Sequence, residues 1–318
     1  LNSSIEYQYT EELLIGVSYP SGNQVNYTYL HGNVSSMSLN VTDAQGQSTA
    51  QNLASSINYL PFGDVTSLTY GNGKLLTQSF DLSYQLSSKK VVGIFDKNYT
   101  FNTLGDISDI ADLTTPATNQ TFEYDVVQRL ADAQGSYGAL AFSYDAIGNR
   151  LTKTVNGVDD IYQYSNNRLQ TAANKTMTYD ANGNLTSRGA ETYSYNDANR
   201  LENALVTSGT YTYDYNPLGQ RVIKDSNGQK RFYHYDPSGL LLAETDQNGQ
   251  TLVEYYYLNG QRLAINLAGT IYYVHTNHLD APLALTDANG TVVWQASYTP
   301  FGEISCILYR SFSRPVCR

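Results

Sequence analysis

Along FSYD (142–145), MTYD (177–180), YSYN (193–196) and YTYDYN (211–216), aromatic or apolar residues alternate with Ser, Thr, Asp and Asn. A period of two places Tyr213 and Tyr215 on one face of an extended strand, with Thr212 and Asp214 on the other. The alternation then stops at an Asp or Asn, whose side chain can bond the backbone two residues on. Four residues after the Tyr comes a Gly, which supplies the positive φ of a type I turn with a following glycine bulge. Alternation resumes in NRLTKTV and QRVIKD. One unit is therefore a strand, a turn and a returning strand.

The unit recurs. Tyrosines opening it fall at Tyr124, Tyr144, Tyr164, Tyr179, Tyr195, Tyr215 and Tyr235, with spacings of 20, 20, 15, 16, 20 and 20 residues. The form aromatic-x-x-x-Gly occurs as YLPFG (59–63), FNTLG (101–105), YDAIG (144–148), YDANG (179–183), YNPLG (215–219), YDPSG (235–239) and YTPFG (298–302). Between these lie Asn-Gly pairs at 72–73, 156–157, 182–183, 227–228, 248–249, 259–260 and 289–290, each a hairpin signal. A period near 20 over most of the chain predicts a repeat architecture. Short connections make sequence neighbours sheet neighbours, so the fold class is all-β: antiparallel hairpin repeats in a meander that must curl or wind to bury one face. Gly63, Gly105, Gly148, Gly183, Gly219 and Gly239 are expected in turns. Tyr179, Tyr195, Tyr215 and Tyr235 are expected at equivalent places, in a contacting row.

Composition agrees with a sheet. The 318 residues hold 29 Tyr beside 9 Phe and 24 Gly beside 8 Pro, and runs of helix formers are scarce. Each Tyr can bury roughly 150–250 Å² while its hydroxyl reaches a polar partner. The net charge is −10 with no basic cluster, which argues against nucleic acid as a partner. No apolar run is long enough to span a membrane, and LNSSIEYQYT carries no targeting signal. Cys306 and Cys317 both lie near the end, so the first 305 residues hold together without disulfides or thiolate metal sites.

The chain resembles the Rhs/YD-repeat (teneurin-like YD-shell) family over nearly all of residues 1–302. The resemblance rests on YPSGNQVNYTYLHGN, NYLPFGDVTSLTYGNG, FEYDVVQRLADAQGSYG, FSYDAIGNRLTKTVNG, YNPLGQRVIKD and YYVHTNHLDAPLALTDANGTVVWQASYTPFGE. It implies a hollow wound sheet, here a partial YD-repeat β-shell, which in bacterial Rhs and toxin-complex proteins encloses a C-terminal toxin and in teneurins forms an extracellular shell. Three segments are expected: divergent repeats over 1–118, regular YD repeats and the start of the Rhs core over 119–302, and a non-repeat tail over 303–318. That tail, ISCILYRSFSRPVCR after Glu303, departs from the family pattern and reads as a truncated or frame-shifted end, with the stump of a variable region as the alternative.

Several motifs invite chemistry. YHYDPSGLLLAE contains Asp236-Pro237-Ser238-Gly239-Leu240, which matches the end of the family's self-cleavage motif, but Arg231 stands where that motif has Pro, and Pro and Gly fit an ordinary turn. His275, His278 and Asp280 could suggest a metal site, yet His275 and His278 point to opposite faces of an extended strand. Cys306 and Cys317 could close a small loop, but are expected to be incidental. Asn26, Asn98, Asn119 and Asn184 open Asn-x-Ser/Thr triplets, which matter only in a eukaryotic secreted chain. No catalytic, cofactor-binding or metal residue is assigned.

The leading expectation is a non-enzymatic structural shell segment, secreted or at the cell surface in its parent by resemblance. Its partners would be further N-terminal repeats and a C-terminal toxin or cargo. The alternative is a binding module that recognises a glycan or surface protein, which exposed aromatic patches would favour. A self-processing protease is a third reading. From length, the repeats are expected to form an open arc, with part of the inner face lacking an opposite wall and free edges that self-associate.

Overall fold

The computed structural model describes residues 5–42, 47–61, 63–309, 316 and 317. Among these, strands run antiparallel in strict sequence order. A 15-stranded sheet extends from Glu6–Thr10 to Val158–Ile161, and a 17-stranded sheet from Gln163–Ser165 to Val316–Cys317. The one helical piece among the described residues is a 3-10 turn at Pro116–Thr118.

The turn chemistry follows the sequence. Gly105, Gly148, Gly183, Gly219 and Gly239 take φ between 87° and 96°. Each donates its N–H to the carbonyl three residues back, as does Gly63. Asp145 shows the local cause: its Oδ1 accepts from the N–H groups of Ile147 and Asn149, at 3.0 and 2.8 Å. The side chain thus satisfies two backbone donors that the bend removes from the ladder. The extra residue appears as a register shift beside the motif tyrosine, between Ser143 and Tyr144, Thr178 and Tyr179, and Asp214 and Tyr215.

The Asn-Gly pairs divide into two kinds. Asn156, Asn227 and Asn259 have φ of 49°, 53° and 49° before a positive-φ Gly, the two-residue turn typical of hairpins. Asn72, Asn182, Asn248 and Asn289 instead occupy the third place of the five-residue turn, where Gly follows as the bulge.

The chain forms two compact units, residues 1–119 with 234–318, and residues 120–233. In the larger unit, strands from the two chain segments face each other across one core. It contains Val25, Met37, Leu39 and Leu53 from the first segment and Tyr256, Leu258 and Ala264 from the second. Here the length-based expectation of an uncovered inner face does not hold, because the second segment supplies the opposing wall. Ile304–Tyr309 adds to this unit as the next strand, paired with Val292–Tyr298. Arg310, Phe312, Arg314 and Arg318 of the tail lie outside the described residues.

The smaller unit has a modest core of Ala133, Leu140 and Phe142, with Phe122, Leu130 and Tyr144 against it. Its tyrosines repeat one interaction. Tyr144, Tyr179 and Tyr215 donate their hydroxyls to the carbonyls of Leu130, Leu169 and Leu201 at 2.7–2.9 Å. Arg129, Arg168 and Arg200 lie over these same rings at 4.7–6.0 Å. Of the tyrosines expected in a row, Tyr179 and Tyr215 share this hydroxyl-to-carbonyl bond and arginine cover.

Candidate functional site: a buried polar clasp

Strand Thr251–Leu258 turns Glu254, Tyr256 and Leu258 to the buried face of the larger unit. Glu254 is fully buried, so its carboxylate must find donors inside the protein. Its own segment provides Tyr256 OH at 2.7 Å and Asn266 Nδ2 at 3.2 Å. The opposing wall provides Ser21 Oγ and Asn23 Nδ2, the latter at 2.8 Å. Beside them, Tyr19 OH donates to the Tyr255 carbonyl at 2.9 Å, and its ring meets Tyr256 edge-on at 5.1 Å. Five groups from sites some 230 residues apart in sequence thus converge on one carboxylate and its neighbour. A carboxylate that takes hydrogen bonds from both segments ties the two walls together.

A second contact lies further along the same walls. Tyr273 OH donates to the Asn52 carbonyl at 3.0 Å, and Tyr70 OH to the Val274 carbonyl at 3.3 Å. His275 is fully buried, its ring 4.6 Å from Tyr70 and its Nε2 2.8 Å from Thr286 Oγ1. Asn72 Nδ2 donates to Thr286 Oγ1 and to the Asp287 carbonyl. Lys89 donates to Thr276 Oγ1 and the Asn277 carbonyl, both at 3.2 Å. Burial pulls the Lys89 ammonium down to about 8, with Asp280 and Asp64 opposing the shift. Burial, helped by Lys74 and Lys89, pushes His275 down to about 3. His278, packed against Tyr99 at 5.1 Å, is pushed down to about 4 by burial and by Lys89 and Lys97.

The residues singled out in the sequence are dispersed. Asp236 opens a turn: its Oδ1 accepts from Leu240 N at 2.8 Å and Ser238 Oγ at 2.7 Å, while Gly239 N donates to its carbonyl. His275 and His278 have separate partners, and Asp280 takes the positive-φ place in the 277–281 turn. Among the described residues no group of His, Cys, Asp and Glu is arranged to hold a metal. Cys306 is disulfide-bonded and stands opposite Cys317 in the ladder, where sequence reasoning expected an incidental residue. Asn98 is exposed on its strand, and Asn119 Oδ1 accepts from Asp112 N. Sequence reasoning missed Ser21, Asn23, Glu254 and Asn266. The available signal was Glu254 itself, an acid in phase with Tyr256 and Leu258 on a face otherwise apolar.

A hairpin array in which Tyr144, Tyr179, Tyr215, Tyr257 and Tyr298 donate their hydroxyls to carbonyls of the adjoining hairpin is a YD-repeat sheet, and known proteins agree. Residues 76–306 match the family described as Teneurin YD-shell, and the chain belongs to that family. It is a structural shell segment. It is 31% identical over 179 residues to the tRNA3(Ser)-specific nuclease WapA of Bacillus spizizenii, covering 52% of this chain and 8% of that protein. It is 25% identical over 346 residues to Teneurin-1 of Mus musculus, covering 96% of this chain and 12% of the relative. The Tc holotoxin pore of Photorhabdus luminescens superposes with a TM-score of 0.80 at 18% identity, covering 96% of this chain and 18% of that one. A TcdB2-TccC3 crystal structure does so with 0.80 at 17%, covering 96% and 19%. The chain thus spans about a tenth to a fifth of the length of these proteins.

Proposed function

We propose that the chain is a non-catalytic wall of a larger secreted or cell-surface shell that encloses a C-terminal toxin or other polypeptide cargo of its parent protein. The observation that carries this reading is the clasp. Two chain segments separated by more than a hundred residues are held face to face by buried hydrogen bonds, as a rigid wall requires and an open catalytic cleft does not. The match to nucleases named WapA, of which it covers only 8%, supports a role beside a toxin rather than as one. Few aromatic side chains stand out for stacking on sugars: Tyr9, Tyr84 and Phe301 are the exposed ones among the described residues, which gives the glycan-binding alternative little support. The test is limited proteolysis of the parent protein that contains this segment. A C-terminal portion protected while the shell is intact, and digested once Glu254→Ala loosens it, is the expected result. A C-terminal portion cleaved equally fast in both proteins would overturn the reading.

A further inference from the structure

The two rims of the larger unit differ in a way the turns themselves do not require. In a meander, alternate connections leave from opposite edges of the sheet. On one edge are the five-residue turns 60–64, 81–85 and 102–106 of the first wall and 236–240, 277–281 and 299–303 of the second. The walls bring these together: the Tyr99 ring packs on His278, and Lys89 bonds the Asn277 carbonyl while sensing both Asp64 and Asp280. On the other edge are turns 19–23, 70–74, 246–250 and 287–291, joined by the bond from Asn72 to the Asp287 carbonyl.

The same turn geometry carries different tips. On the second edge the third turn residue is Ser21, Asn72, Asn248 or Asn289. On the first edge Leu104 at 67%, Leu279 at 70% and Phe301 at 55% exposure hold that third place, and fully exposed Leu82 holds the second place of its turn beside Ser83, while turn 236–240 carries Ser238. Because Ser and Asn serve equally well in this turn, the backbone does not demand Leu or Phe there. Four large apolar side chains held in water on neighbouring turns of one rim mark a contact surface. Among them stand the exposed acids Asp64, Asp81, Asp280 and Glu303, and the six turns contain no Lys or Arg.

We infer that this rim docks a basic polypeptide, a segment in which Lys or Arg alternates with apolar side chains. The charge complementarity selects it: an acidic rim repels an anionic bilayer and repels a second copy of itself, whereas a cationic apolar segment satisfies both the tips and the carboxylates. The tips bury the apolar side chains, and the acids between them orient the cations. This inference does not depend on the cargo reading.

The experiment uses the full chain and a short fluorescein-labelled peptide of alternating Lys-Gly and Leu-Gly pairs, followed by fluorescence anisotropy. Leu279→Ser with Phe301→Ser should weaken binding roughly tenfold or more, as two lost apolar contacts imply. Asp64→Asn with Asp280→Asn should weaken it and flatten its salt dependence, and Asn248→Ser on the opposite rim should leave it unchanged. Circular dichroism should show every variant folded, since all these side chains are exposed. Equal binding of a peptide with Ala in place of Leu would overturn the inference by reducing it to charge alone. So would unchanged binding in the rim variants. Flotation with phosphatidylcholine vesicles, or a dimer lost in the same variants, in the absence of peptide binding would overturn it in favour of a lipid surface or a second copy.

Discussion

The two units share one turn chemistry and use their sheet faces differently. All twelve buried polar or charged side chains among the described residues belong to the larger unit, including Glu254, His275 and Lys89. The smaller unit contributes seven of the thirty-four buried apolar side chains, and three of those seven are alanines. Where a face meets a second wall, it must satisfy polar groups in the dry, and hydrogen-bond networks form between distant residues. In the smaller unit, tyrosines stay half-buried under arginines and bond the carbonyls of the adjoining hairpin. A repeat can therefore be locally uniform and still be specialised by what lies across from it.

The sharpest way to break this comparison is to remove the clasp. Glu254→Ala strands Ser21, Asn23, Tyr256 and Asn266 around a cavity, and should cost about 3–5 kcal/mol, as losing one partner of a buried charged network does. Glu254→Gln keeps the shape and should cost about 1–3 kcal/mol. Hydrogen-exchange mass spectrometry should show faster exchange in peptides from 5–42 and 251–276, with 120–233 unchanged. Equal acceleration in 120–233 would mean that the two units are one cooperative body.

Acid should act on the larger unit next. The folded protein holds His275 neutral down to about pH 3, whereas the unfolded chain takes up that proton near pH 6.5. Between those values the unfolded state binds more protons, so stability is full above about 6.5 and falls with pH, at roughly 1.4 kcal/mol per pH unit at the steepest for this buried ring. His278 acts in the same direction over a narrower window, down to about 4. Urea midpoints at pH 7, 6 and 5 check the slope, and His275→Gln should flatten it.

Tyrosine hydroxyls give a smaller contrast. Tyr70→Phe removes a buried bond to the Val274 carbonyl and should cost about 1–2 kcal/mol, while Tyr215→Phe, partly in water, should cost about 1 kcal/mol or less. Calorimetry that found the two equal would erase the distinction drawn above. Smallest of all, Leu218→Ser at an exposed turn tip of the smaller unit should change stability by less than about 0.5 kcal/mol.

Much of the local architecture is legible in the sequence because its causes are local. Asp145 and Gly148 make their turn from five consecutive residues, and the pattern says so. The tyrosine row was half legible: position just before the turn places Tyr179 and Tyr215, but their carbonyl partners depend on register. The clasp was not legible, because Ser21 and Glu254 are neighbours only through tertiary packing, 233 residues apart. Periodicity marks Glu254 as inward-facing, yet nothing near it names its donors. Which segment supplies the opposing wall was missed for the same reason, since a meander read hairpin by hairpin says that the sheet must wind but not where the chain meets itself.

That return sets a timetable for synthesis. The first wall carries Val25, Met37, Leu39 and Leu53 on the face that the second wall covers, and Asn72 finds its partners only at Thr286 and Asp287. At translation rates of roughly 5–20 residues per second, the interval between completing the first wall and producing its cover is on the order of ten to thirty seconds. For that time a finished sheet waits on the ribosome with its apolar side unclaimed. A synonymous change that slowed translation between codons 120 and 233 would lengthen the wait without altering a single residue, and the yield of folded protein should fall with it.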